Sequence, residues 1–319
     1  MSFKVLGIGE ALWDLLPSGP QLGGAPANFA CHARALGADA SVVTRVGADN
    51  YGRAIAQSFE KMQIAGGLVQ VDDTAPTGTV PVTLSGNGIP HFVIQENVAW
   101  DRLEATPGAL NAVCGADAIC FGSLAQRSER ARTSIQKLVA AAPPDSLRVF
   151  DVNLRQLYFS QGVIERSLEL ANVLKLNEGE LKVIAQMFSL GGSAGQQIER
   201  LAKEFNLRVV ALTRGPMGSL LYQEGQWSDC PSPPVEVIDT IGAGDAFTAA
   251  LVLGLLRRME LSQINALADE VARYVCSCAG ATPPLPKKFA EKFAAHDAFA
   301  KVTPGSLAPG TLNLGTISA

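Results

Sequence analysis

Long apolar runs, an excess of basic charge and cysteines at C-x-x-C spacing are all missing from this chain of 319 residues. The longest apolar stretch, Ala246 to Leu256, has Thr248 inside it and is too short to span a bilayer. The opening MSFKVLGIGEALWD meets Glu10 and Asp14 before a signal-peptide core could form. A formal net charge of −4 gives no electrostatic footprint for nucleic acid. The six cysteines follow no C-x-x-C spacing and form no cluster with the three histidines, which argues against a zinc site or a disulfide scaffold and suits reduced thiols in the cytoplasm. Two nucleotide-binding motifs are absent as well. There is no G-x-x-x-x-G-K-[ST] loop, and after Gly7 and Gly9 the third glycine of a dinucleotide fingerprint would fall on Leu12.

What is present is a globular composition, 47% hydrophobic and 18% charged, long enough to bury a substantial core. Short β-branched runs recur between helix-length segments at Lys4–Gly9, Ser41–Gly47, Ala116–Phe121, Arg148–Val152, Val173–Leu176 and Arg208–Thr213. Such alternation predicts one doubly wound α/β domain over 1–319, a mostly parallel sheet between helical layers. Runs such as VVTRV and VVALT suit burial on both faces. Residues 77–94, TGTVPVTLSGNGIPHFVI, break this rhythm, and their Asn-Gly predicts an antiparallel hairpin. Pairing with Leu12–Leu16 would make a small β lid from residues 10–22 and 73–100, able to close over a ligand. A glycine-opened helix is predicted from Thr240 to Leu256 and another over Ser262–Ala279. Residues 302–319, rich in Pro, Gly, Ser and Thr, read as a loosely held extension.

The segment DTIGAGDAF, Asp239 to Phe247, concentrates the chemistry. Small residues let a ligand approach the backbone, a helix start leaves amides without internal acceptors, and an acid lies in the first turn. The amides of Ile241, Gly242, Ala243 and Gly244 can form an anion hole for phosphoryl oxygens, with Asp245 in reach of an attacking hydroxyl. A helix N-terminus predicts that Asp245 is held as the anion and is a weak base. A loose phosphoryl-transfer transition state tolerates that. The bland alternative is a helix-start acid beside a tight turn. Against it, a carboxylate in so apolar a segment needs a cleft to face.

GAGD at a helix start, together with GGAPANFACHARALGADASVVTRVGADNYG from Gly23 to Gly52, resembles the two signatures of the ribokinase (PfkB-type) family of carbohydrate kinases. The resemblance implies a ribokinase-like fold that moves the γ-phosphoryl group of ATP onto a sugar hydroxyl with Mg²⁺. It implies that Asp14, Gly24 and Asn28 contact the sugar. Arg155 joins them through FDVNLR, similar to the D-x-N-x-R block of fructokinase-like members. If strand geometry persists there, Asp151, Asn153 and Arg155 share one face, although a plain turn after the strand explains the run about as well. Asn177 and Glu180 in LNEGE resemble the N-x-x-E element that organises Mg²⁺ through water, although the same spacing is a capping box. Thr213, Gly215, Gly218 and Gly244 match the nucleotide-phosphate contacts, and Gly280–Pro284 matches the adenine-proximal loop. By the same analogy Asp239 and the Ile241 carbonyl form a monovalent-cation site for K⁺.

The FVIQENVAWD, D-x-N-x-R and GEALWD blocks lean towards fructose, with ribose, 2-keto-3-deoxygluconate and nucleosides as alternative acceptors. A non-catalytic sugar sensor on the same fold is the reading from a different class, and the intact GAGD argues against it. Sugar and ATP are the expected partners, with no nucleic acid and no membrane. An exposed lid edge would suit a homodimer.

Overall fold

The computed structural model of the chain describes residues 2–17, 19–84 and 90–300. Its strands, in chain order, are β1 (Lys4–Ile8), β2 (Leu12–Leu16), β3 (Gly19–Gly23), β4 (Asp39–Gly47), β5 (Val69–Asp72), β6 (Gly78–Leu84), β7 (Pro90–Phe92), β8 (Ala118–Phe121), β9 (Leu147–Asp151), β10 (Val173–Asn177), β11 (Val209–Thr213), β12 (Ser219–Gln223) and β13 (Gln226–Cys230). The helices are α1 (Ala25–Ala35), α2 (Asn50–Lys61), α3 (Pro107–Cys114), α4 (Glu129–Ala140), α5 (Gln161–Leu170), α6 (Glu178–Met187), α7 (Ala194–Glu204), α8 (Ala243–Leu256), α9 (Leu261–Cys276) and α10 (Lys287–Ala300).

Consecutive residues of the central strands, such as Val209 to Leu212, are all buried, so both faces of the sheet are covered. The main sheet runs β13-β12-β11-β10-β9-β8-β1-β4-β5. It is parallel from β11 to β5 and antiparallel only where β12 and β13 are added. One core holds side chains of α1, α2, α8, α9 and α10, the other those of α3 to α7. Burial drives α8 into the first of these. It is apolar nearly all round, and every residue from Ala246 to Gly254 is buried.

A separate four-stranded sheet has the order β3-β2-β6-β7. β2 pairs antiparallel with β3 and parallel with β6, and β6 pairs antiparallel with β7. The expected pairing of this segment with Leu12–Leu16 is therefore present. The turn at 85–89 and the 302–319 extension lie outside the described residues.

Of the two readings of D-x-N-x-R, the turn after the strand is the one present. The D-x-N-x-R alternation does not persist, because β9 ends at Asp151 and Asn153 turns into the left-handed region with φ 46. The added hairpin β12–β13 had no Asn-Gly to mark it. Glu224 (φ 49) and Gly225 (φ 87) supply the two positive φ angles such a turn requires. The ends of β1, β8, β9, β10 and β11 point the same way, and the loops leaving them carry the candidate site, as open α/β sheets generally arrange.

Candidate active site

Helix α8 opens on Gly242, whose φ of 77 and ψ of −9 are left-handed, and no side chain caps it. A Cβ on Gly242 would lie 2.0 Å from the Ala281 carbonyl oxygen, and one on Gly244 would lie 2.9 Å from Lys175 Nζ. The first position therefore excludes larger residues by backbone, whereas a side chain at the second requires the Lys175 ammonium group to shift. The first-turn amides have no intrahelical acceptor, which is the physical basis of an anion site.

Asp245, in that first turn, keeps some solvent-facing surface and accepts a hydrogen bond from Asn28 Nδ2 at 2.9 Å. Burial, and then the charge of Asp151, push its carboxyl up to about 6 against the pull of Lys175, Asn28 and Arg155. The expectation of a weak base held as the anion by the helix start is thus corrected: desolvation wins over the helix end. Behind the turn, buried Lys175 donates to Asp151 Oδ1 at 3.0 Å. Thr248 Oγ1 is 2.8 Å from Asp151 Oδ2 and 2.9 Å from the Gly244 carbonyl oxygen, so its one proton serves one of them at a time. Burial opposes the charge on Lys175, but Asp151, Glu180 and Asp245 outweigh it and raise the pKa.

The sugar-side candidates lie on β2, at the start of α1 and in the loop after β9. Gly24 precedes α1 with φ 104, where a Cβ would come within 2.4 Å of the Glu10 carbonyl oxygen. Asp14 extends from β2, and burial raises it to about 6 while Arg155 pulls it down. Glu10, read in the sequence only as an interruption of an apolar run, is buried and accepts the Ala25 amide through Oε1 at 3.3 Å. Burial, opposed by its own and the Ala25 amide and reinforced by Asp245, brings Glu10 to about 7. Arg155 lowers the pKa of Glu10, Asp14 and Asp245 alike, so its charge acts on all three acids.

On the other side, Asn177 and Thr213 are register partners at the ends of β10 and β11. Asn177 and Glu180 do form the capping box: Asn177 Oδ1 accepts Glu180 N at 2.9 Å, and Glu180 Oε2 accepts Asn177 N at 2.8 Å. Glu180 Oε1 also takes the Leu154 amide at 3.0 Å. A carboxylate committed in this way has lone pairs left for a metal-bound water, the outer-shell role Mg²⁺ commonly asks for. Gly218 (φ 88) backs onto the Cys230 carbonyl oxygen, 1.9 Å from where a Cβ would be, while Gly215 (φ 54) faces open space. Arg214 is drawn away to Asp229 and the Ser219 carbonyl. Asp239 accepts the amides of Ile241 at 3.0 Å and Gly280 at 3.2 Å, tying the two loops together.

Lys175, Thr248 and Glu10 were not found by sequence reasoning. The signal was there for the first two: a lone cation inside a buried strand, and the one hydroxyl in an otherwise apolar helix.

The profile of the pfkB family of carbohydrate kinases matches residues 20–288. A fructokinase of Klebsiella pneumoniae is 31% identical over 283 residues, 85% of this chain and 91% of that protein. The crystal structure of an uncharacterized sugar kinase of Pyrococcus horikoshii superposes with a TM-score of 0.78 at 28% identity, covering 92% of this chain and 98% of the other. A Vibrio cholerae fructokinase, in a fructose, ADP and calcium ion bound form, gives a TM-score of 0.76 at 25% identity over 91% of this chain and 98% of that one. The chain belongs to the pfkB family of carbohydrate kinases and is an ATP-dependent enzyme of that class.

Proposed function

We propose that the chain is a fructokinase-like enzyme that transfers the γ-phosphoryl group of ATP to a hydroxyl of fructose, with Asp245 as general base. The observation that carries this reading is the start of α8, where no side chain caps the helix and Asp245 accepts a hydrogen bond from Asn28, with Arg155 close enough to act on both Asp245 and Asp14. The likeness to fructokinases over most of the chain points to the acceptor.

In this reading Asp14, Asn28 and Arg155 hold the sugar hydroxyls, and Gly24 lets the ring come close. Asp245 takes the hydroxyl proton as the new oxygen–phosphorus bond forms. The bond from the γ-phosphorus to the β,γ-bridging oxygen breaks and ADP leaves. Amides of Gly242, Ala243 and Gly244 accept the charge that spreads over the transferring group. Thr213, Gly215 and Gly218 flank the ATP phosphates, and Gly280–Pro284 the adenine. Mg²⁺, reached through water by Asn177 and Glu180, would neutralise phosphate charge; Asp239 and the Ile241 carbonyl are the candidates for a K⁺ site. The small sheet acts as a lid that excludes water.

ADP release measured across fructose, ribose, 2-keto-3-deoxygluconate and nucleosides tests the acceptor. Fructose is expected to give the highest kcat/KM. Asp245→Asn should lower kcat by about 10²–10⁴-fold and leave fructose binding in place. Sugar binding without turnover in the unaltered protein would mean a sensor instead.

A further inference from the structure

Helix α1 carries Asn28 and His32 four residues apart, hence on one face. Asn28 has a task in the reading above; His32 has none. It is 1% exposed, and its Nε2 is 2.9 Å from the carbonyl oxygen of Ala281, 249 residues along the chain. A carbonyl oxygen only accepts, so Nε2 carries the proton and the ring donates. Burial lowers the ring's pKa to about 4, so it is a neutral donor at physiological pH.

The Ala281 carbonyl is not an ordinary loop oxygen. It is the atom that a Cβ on Gly242 would strike at 2.0 Å, so it is pressed against the backbone that opens α8. The neighbouring Gly280 amide is held by Asp239, whose other oxygen holds Ile241. Residues 280–281 are therefore stitched to the turn 239–242 from within, and His32 holds the same loop from α1, the helix that shapes the sugar side.

We propose that His32 is a positioning residue for phosphoryl transfer: by gripping the Ala281 carbonyl it sets where Gly242 and the first-turn amides of α8 stand relative to the sugar face of α1. The inference rests on the kinase reading of that turn. Its consequence is directional. Losing the donor lets the 280–284 loop and the opening of α8 drift, which weakens use of ATP, whereas Asp14 and Gly24 remain in place for the sugar. A histidine that merely filled the core would affect melting and leave the kinetic constants alone.

Three variants separate these outcomes, all assayed well below their melting temperatures. In His32→Gln the amide nitrogen reaches about where Nε2 was; in His32→Asn it falls short; His32→Leu has no donor. His32→Asn and His32→Leu should lose about ten- to a hundredfold in kcat/KM for ATP, the scale of an ångström-sized misplacement, with calorimetric fructose affinity unchanged. His32→Gln should keep most of the activity. Unchanged kinetics in His32→Asn, or equal losses in the Gln and Asn variants, would overturn the proposal, as would a parallel loss of fructose affinity. Should His32→Leu fail to fold, the Gln and Asn pair still decides, since both are neutral amides differing in reach. Should the unaltered protein phosphorylate none of the sugars, the kinase reading fails. His32 is then judged on binding of a non-hydrolysable Mg·ATP analogue: weakened in Asn but kept in Gln supports the grip, and equal binding in both overturns it.

Discussion

In the proposed mechanism Asp245 is both a catalytic asset and a burden on the fold. Its pKa near 6, raised first by burial and then by Asp151, brings it closer to the operating pH than the ordinary 3.8 would. As the proposed base it must be ionised, so kcat/KM should fall about tenfold per pH unit below about 6. Asp14 and Glu10 are also raised, to about 6 and about 7, so the acid limb belongs to the group of acids and not to one residue. The folded protein holds the Asp245 proton more tightly than the unfolded chain does. The stability due to that proton is complete below 3.8 and is lost as pH rises through about 6. At pH 8 the buried anion costs at most about 3 kcal/mol, with its partial exposure reducing that figure. Asp245→Asn is therefore expected to melt above the unaltered protein at pH 8, the gap closing towards pH 4. Calorimetric scans at both pH values check this.

The opening of α8 is the element on which the site depends, and its glycines are not equivalent. Gly242→Ala sets a methyl 2.0 Å from the Ala281 carbonyl oxygen and asks an alanine to hold φ 77. The left-handed conformation costs about 1–2 kcal/mol, and the clash must additionally displace the loop or the turn. Single-turnover kinetics should show a loss of about 10² in the transfer step with fructose affinity retained. Gly215→Ala meets open space at φ 54, so it should cost only the backbone term and leave transfer much less affected. Much of this element was legible in DTIGAGDAF, because glycine tolerance and helix opening are local properties. The D-x-N-x-R run left a strand and a turn reading open for the converse reason. Alternation along three residues assumes that a strand continues, and the chain leaves the sheet after Asp151. The β12–β13 hairpin was missed because its turn is Glu-Gly, which carries a weaker local signal than Asn-Gly.

At the scale of the molecule, the small sheet joins the main one through β1–β2 and the link from β5 to β6. That second link is clamped: Asp49 Oδ1 accepts the Thr77 hydroxyl at 2.7 Å and Asp49 Oδ2 accepts the Thr77 amide at 2.8 Å. The Thr77 oxygen in turn accepts the Gly47 amide at 2.9 Å. If the small sheet closes over sugar, fructose should lower the radius of gyration in X-ray scattering. Thr77→Val, which strips the clamp of its hydroxyl, should raise ATP hydrolysis without sugar relative to transfer. No change in either quantity would argue for a fixed sheet. Among the described residues no helix is long and apolar enough to cross a membrane.

The amino-acid sequence by itself determined the alternating architecture, the glycine turn and the choice of candidate acids and amide, because periodicity and backbone tolerance are written in neighbouring residues. Only the tertiary structure decided which groups face one another and in what charge state. Asn28 meets Asp245 across 217 residues, Lys175 comes to rest beneath Gly244, and His32 reaches Ala281. Burial and the proximity of distant charges set those protonation states, and neither quantity exists until the chain has closed on itself.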